Sequence, residues 1–165
     1  MKPKVFSAIL MVLALAMAVT AQTKITGTCT CSKPEKQYSI RVGDRANHSF
    51  MISQLKCTWS QPLELEGVRS KEGVSTAFDE VTGSSSRTRG FYLNTLANGD
   101  KCHVRYQGTA TVEAGLFQNA EGTWSYIGGT GNFRGLKGKG TYKGTGNADG
   151  SVTYQIEGEY QLPKK

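Results

Sequence analysis

A seven-residue unit occurs twice in the C-terminal part of this chain, and it limits the possible folds more than any other feature. Gly129-Thr130-Gly131-Asn132-Phe133-Arg134-Gly135 is followed by Gly138-Lys139-Gly140-Thr141-Tyr142-Lys143-Gly144, and both read Gly-x-Gly-x-aromatic-basic-Gly. In an extended chain successive side chains point to opposite faces. Read as strands, each unit puts its glycines and one ring on one face and polar residues on the other. Glycine permits sharp bending and close backbone approach, and a neighbouring ring can cover the gap it leaves. The pattern therefore predicts strongly coiled antiparallel strands.

The same two-residue period recurs elsewhere. Cys102, Val104, Tyr106, Gly108, Ala110 and Val112 share one face, against His103, Arg105, Gln107, Thr109 and Thr111 on the other. Val152, Tyr154, Ile156, Gly158, Tyr160 and Leu162 alternate with Thr153, Gln155, Glu157, Glu159 and Gln161. A half-buried strand needs this arrangement. Trp124 and Tyr126 follow Gly122, and Val74, Thr76 and Phe78 mark a further apolar phase. Phe50 and Ile52 share a phase that Leu55, Cys57 and Trp59 do not, which predicts a bulge between them. Asn98-Gly99-Asp100 and Asp149-Gly150 read as hairpin turns. No long helical period is present. The expected fold is all-β, an antiparallel closed barrel of about eight strands, because closure removes the free edges of such a sheet. A two-sheet sandwich is the competing architecture.

The start of the chain reads as a targeting segment. Lys2 and Lys4 precede an apolar run from Val5 to Ala18, and Val19-Thr20-Ala21 supplies small residues for cleavage before Gln22. The run is short of the about 20 residues that a membrane-spanning helix needs. The expected organisation is a signal peptide at 1–21, an N-terminal arm at 22–36 and a β-barrel domain at 37–165, with the protein secreted or periplasmic and without a membrane span. The formal net charge is +7, and +5 without Lys2 and Lys4. No basic stripe is interleaved with stacking aromatics, so nucleic acid is not an expected partner. Lys137, Lys139, Lys143 and Arg134 fall on the outer face or in turns, where lysine discourages strand-to-strand aggregation.

Export makes Cys29, Cys31, Cys57 and Cys102 disulfide candidates. Cys29 and Cys31 are too close to pair within a strand, so each would reach Cys57 or Cys102 if two bridges form. The Cys-x-Cys pair lacks the second pair of a zinc site, and no metal or cofactor is expected. Neither glycine unit matches a phosphate loop, which would need Gly at Phe133 and Ser or Thr at Gly140, or a dinucleotide fingerprint, which would need Gly at Arg134 or Lys143. His48 and His103 read as ordinary surface residues. Glu64 and Glu66, like Glu157 and Glu159, alternate with apolar neighbours and read as a solvated face; Asp79-Glu80 is a third carboxylate pair. No spacing assembles a nucleophile with a base, so no catalytic residue is assigned. Small barrels are either filled by side chains or hold one small ligand. The many glycines subtract interior volume, and Tyr106, Trp124, Tyr154 and Tyr160 are the candidate ligand-pocket residues.

The stretch Gly122-Thr123-Trp124-Ser125-Tyr126-Ile127-Gly128-Gly129-Thr130-Gly131-Asn132-Phe133-Arg134-Gly135 resembles the Gly-Gly-x-Gly-x-Phe-x-Gly signature of allene oxide cyclase-like barrels. Plant dirigent proteins carry a similar segment, as do bacterial exported proteins of unassigned function. The resemblance covers about Gly99 to Leu162. It implies an eight-stranded antiparallel barrel with an apolar interior. In the plant relatives that interior holds a lipid-derived or phenolic intermediate and guides its cyclisation or coupling. It also implies a homo-oligomer, since those proteins are often trimers. The polar residues that hold a water in the cyclases lie on N-terminal strands that do not align here, so no catalytic role is transferred. The expected function is that of an exported small barrel binding a small apolar or aromatic ligand. The alternatives are an isomerase or cyclase acting on a lipid-derived or phenolic substrate, and a structural or envelope-interaction protein with a filled barrel. Enzymatic activity is left open, with the balance against it.

Overall fold

Tight turns join a run of short alternating segments into antiparallel strands. The computed structural model describes residues 22–163, so the targeting segment read at 1–21 lies outside the described residues. The strands are β1 (Thr23–Cys31), β2 (Lys36–Arg41), β3 (His48–Gln61), β4 (Glu64–Leu65), β5 (Val68–Thr82), β6 (Ser85–Leu96), β7 (Lys101–Glu113), β8 (Leu116–Gly129), β9 (Lys137–Gly146) and β10 (Val152–Gln161). Eight of them close into a ring. β3 pairs with β5 along one edge and with β1 along the other, and the ladder continues from β1 through β10, β9, β8, β7 and β6 back to β5. The two remaining strands lie outside the ring. β2 runs beside the first half of β3, and β4 is a two-residue pairing on β5. The stretch 22–36, read above as an arm, contributes β1, the strand that joins β10 to β3.

The two glycine units have different fates. The second lies in β9 as expected, with Tyr142 and Gly144 buried. The first leaves its strand. Gly131 has φ +52° and Gly135 has φ +73°, left-handed values that favour glycine. The chain turns through a 3₁₀ segment, Gly131–Phe133. Asp100 explains the difference. Its carboxylate accepts from Thr130 Oγ1 and from the Asn132 N–H, and it occupies the space a side chain at 131 would need. The second unit has Lys139 and Thr141 at those positions. Phe133 consequently folds into one end of the barrel, 1% exposed, among Leu65, Leu96, Cys102 and Leu136.

The expected bulge in β3 is absent. Its ladder with β5 runs unbroken from His48 opposite Thr82 to Thr58 opposite Glu72. Phe50 and Ile52 simply point outward, Ile52 being 51% exposed. β5 is inverted in the same sense. Its inner face is Gly73, Ser75, Ala77 and Asp79, all buried, while Val74, Thr76 and Phe78 face out. Phe50 stacks on Phe78 with ring centroids 5.4 Å apart, and the Arg89 guanidinium lies 4.8 Å from the Phe78 ring centre. This side of the barrel therefore has small and polar residues inside and its bulk outside.

One disulfide forms, Cys31–Cys57, across β1 and β3. The second bridge does not. Cys29 and Cys102 are buried free thiols on β1 and β7, with β10, β9 and β8 between them. Burial pushes both thiols up to about 12. The bridge joins residues 26 apart in sequence. Cys57→Ser is expected to lower unfolding free energy by about 3 kcal/mol through the unfolded chain's regained freedom. Urea unfolding with and without reductant checks this: the wild type should lose stability when reduced, and the variant should not respond.

Candidate functional site

The aromatic residues of the inner face lie across glycines of neighbouring strands. A side chain at Gly90 would meet the Tyr106 ring 2.5 Å away, and one at Gly144 would meet Tyr154 at 2.6 Å. Tyr142 covers Gly108 and Gly122, Trp124 covers Gly140 and Gly158, and Tyr92 covers Gly73. The rings thus lie along the wall instead of projecting to the axis. An axial cavity of about 150 Å³ remains. A space of that size accommodates roughly one six-membered ring.

Two walls of different chemistry enclose it. One is aromatic. Tyr106 and Tyr142 meet edge to face at 6.1 Å between centroids, as do Tyr142 and Tyr154 at 5.8 Å. The Trp124 Nε1–H is held by the carbonyls of Thr141 and Glu157, each at 3.2 Å. The other wall comes from β3, β5 and β6 and carries Ser53, Ser75, Asp79, Thr88 and Asn94. Ser75 Oγ and Tyr106 Oη are 2.7 Å apart and join the two walls. Trp59 Nε1 donates to Asn94 Oδ1 at 3.2 Å, and Asn94 Nδ2 donates to Ser70 Oγ at 2.7 Å. The hydroxyls of Tyr92 and Tyr126 are buried with no hydrogen-bond partner among the described residues.

Asp79 is the one ionisable carboxylate of this lining and is 2% exposed. Ser86 Oγ donates to its Oδ1 at 3.4 Å. Burial raises its pKa from 3.8 to about 6, against the smaller opposing effect of the Ser86 hydrogen bond. Burial likewise pushes Tyr106 up to about 12, with Ser75 opposing and the Asp79 charge adding to it. Tyr142 and Tyr154 are raised first by burial and also by neighbouring groups, Asp79 among them. The Phe133 cluster closes one end of the barrel. Toward the other end, where the β7–β8 and β9–β10 turns lie, Pro34, Phe117 and Gly150 line the cavity.

Tyr106, Trp124 and Tyr154 meet in this cavity. Tyr160 does not join them. It is buried at the closed end, where its hydroxyl donates to Glu66 Oε1 and accepts from the Glu66 N–H, both at 3.0 Å. Glu66 is an exposed turn residue with φ +48°. Cys29 and Cys31 line the cavity, whereas Cys57 and Cys102 do not. His48 corrects the surface reading. It is 6% exposed, with Nδ1 2.5 Å from Asp44 Oδ1 and Nε2 3.1 Å from Glu80 Oε1. The hydrogen bond to His48 holds the Asp44 carboxyl below its ordinary value. This contact fastens the β2–β3 turn to the end of β5, and its polar atoms are spent on each other. His103 is exposed, as expected. Among the described residues, no group of three or more His, Cys, Asp or Glu could hold a metal, and no helix is long and apolar enough to cross a membrane.

Asp79, Ser75 and Asn94 were not identified from sequence. Their signal is the alternation Gly73-x-Ser75-x-Ala77-x-Asp79, masked because the opposite phase of β5, Val74, Thr76 and Phe78, is the bulkier one. No protein-family model matches the chain, and no curated protein matches it. Among solved structures, it is similar to a pterocarpan synthase dirigent protein, with a TM-score of 0.46 and 12% identity over 88% of each chain.

Proposed function

We propose that the barrel holds one small apolar or aromatic ligand in its axial cavity. The observation that carries this reading is the cavity itself, left open because the inner rings lie on glycines. A filled barrel would have those rings interdigitated on the axis. A second reading, an isomerase or cyclase, is favoured by one observation. Asp79 lines the cavity, and burial raises its carboxyl to about 6, a value suited to proton transfer near neutrality. We place the protein outside the cytoplasm, a reading supported by the Cys31–Cys57 bridge, since such bonds persist in oxidising compartments.

Both tryptophans, Trp59 and Trp124, line the cavity, so intrinsic fluorescence reports on its contents. Toluene and phenol are expected to change that fluorescence with dissociation constants on the order of 0.1–1 mM, the range open to ligands of this size. Ala77→Leu, which adds bulk to the lining, should weaken both by at least about tenfold while preserving the barrel's circular dichroism. Absence of any response to either compound in the wild type overturns the reading.

A further inference from the structure

The charge inside the cavity narrows the ligand class, and this step rests on the reading just given. We propose that the ligand is an organic cation, a protonated amine or small alkylammonium group on an apolar body, with its head against Asp79 and its body against the tyrosine wall.

The first observation is an uncompensated carboxylate. No lysine, arginine or histidine lines the cavity, and none of the ion pairs among the described residues involves Asp79. The nearest arginines on β6, Arg87 and Arg89, stand on the opposite face of the sheet and are exposed. Removing one partner of a buried ion pair is strongly destabilising because the other charge is left without compensation. Asp79 already stands in that condition. Its desolvation is incurred on folding, so an entering cation gains the attraction and repays only its own desolvation.

The second observation is what faces the carboxylate. Tyr106, Tyr142 and Tyr154 form a run of edge-to-face rings, and the Asp79 charge acts on all three phenols. The faces of aromatic rings attract cations, most strongly where water is excluded. A carboxylate beside several rings is the combination that repays an ammonium group for its lost hydration. A neutral alcohol supplies a hydrogen bond and leaves the charge uncompensated. An anion is repelled. The protein's net positive charge works weakly against a cation at a distance, since exposed charges are screened over about 8 Å at physiological salt.

Three ligands of nearly equal size separate the possibilities at pH 7.5: benzylamine, benzyl alcohol and toluene, each titrated by tryptophan fluorescence and by calorimetry. Benzylamine is expected to bind about 10- to 100-fold more tightly than benzyl alcohol, the range of a hydrogen bond to a charged group over a neutral one. In Asp79→Asn that preference should disappear while toluene affinity stays within about twofold. Equal affinity of the wild type for benzylamine and benzyl alcohol overturns the cation and leaves the cavity reading standing. Failure of all three to bind removes both. A preference that survives in Asp79→Asn also overturns the proposal, since the carboxylate would not be its source. The wild-type ranking decides the matter even if that variant does not fold.

Discussion

Asp79→Asn is expected to make the protein more stable at pH 7.5, by up to about 3 kcal/mol, or about 6–12 °C in melting temperature. The sign follows from the direction of the shift. The carboxyl has a pKa of 3.8 when unfolded and about 6 when folded, because burial disfavours its charge. The folded state therefore holds the proton more tightly than the unfolded one. Its contribution to stability is complete below about pH 3.8 and is lost as pH rises through about 6. The wild type should weaken between pH 4 and pH 7.5 relative to Asp79→Asn, whose amide does not titrate and can still accept from Ser86. Other carboxyls titrate in this range in both proteins, and Asp44 and Asp149, both held below the ordinary value by hydrogen bonds, act in the opposite sense. The difference between the two urea midpoints, followed from pH 4 to 7.5, isolates Asp79. Parallel curves, or a less stable variant at pH 7.5, would show that the charge is compensated in the folded protein. A buried carboxylate that lowers stability at neutral pH and faces a cavity marks a candidate functional site, because sites tuned for binding or chemistry commonly carry such a cost.

Phe133→Ala should cost about 3–5 kcal/mol, the range for removing a fully buried ring whose site cannot collapse. Phe133 is surrounded by Leu65, Leu96, Leu136 and Cys102, contributed by β4, β6, the segment after the 3₁₀ turn and β7, so its loss loosens several strands at once. Phe91→Ala provides the contrast. That ring is 58% exposed on the outer face, and its removal should change stability by no more than about 0.5 kcal/mol. Denaturant unfolding of the two variants side by side tests the assignment. Similar losses for both would mean that Phe133 is not the closure of the barrel.

The closed antiparallel barrel was legible because β7 and β10 alternate strictly and because Asn98-Gly99-Asp100 and Asp149-Gly150 sit where hairpins must turn. Tyr106, Trp124 and Tyr154 could be assigned to the interior for the same reason. β3 and β5 were harder. Their bulky residues, Phe50, Ile52 and Phe78, face outward, where Phe50 stacks on Phe78 and Arg89 covers the Phe78 ring. Local alternation identifies two faces but not which one is inside. That depends on the far wall, and Asp79 was missed on this account. The first glycine unit failed as a strand because Asp100, some thirty positions earlier, captures Thr130 and Asn132. His48 is buried by partners on two different elements, Asp44 in the turn and Glu80 on β5, which no local pattern joins.

The Phe133 closure has a kinetic consequence. With one end stopped, the interior is a blind-ended vessel and not a conduit. Whatever arrives and whatever departs, solvent included, must pass the same rim, where Gly150 approaches Lys33 and Leu116 from adjoining turns. Any occupant would therefore enter and leave by one mouth, so a second could follow only after the first had gone.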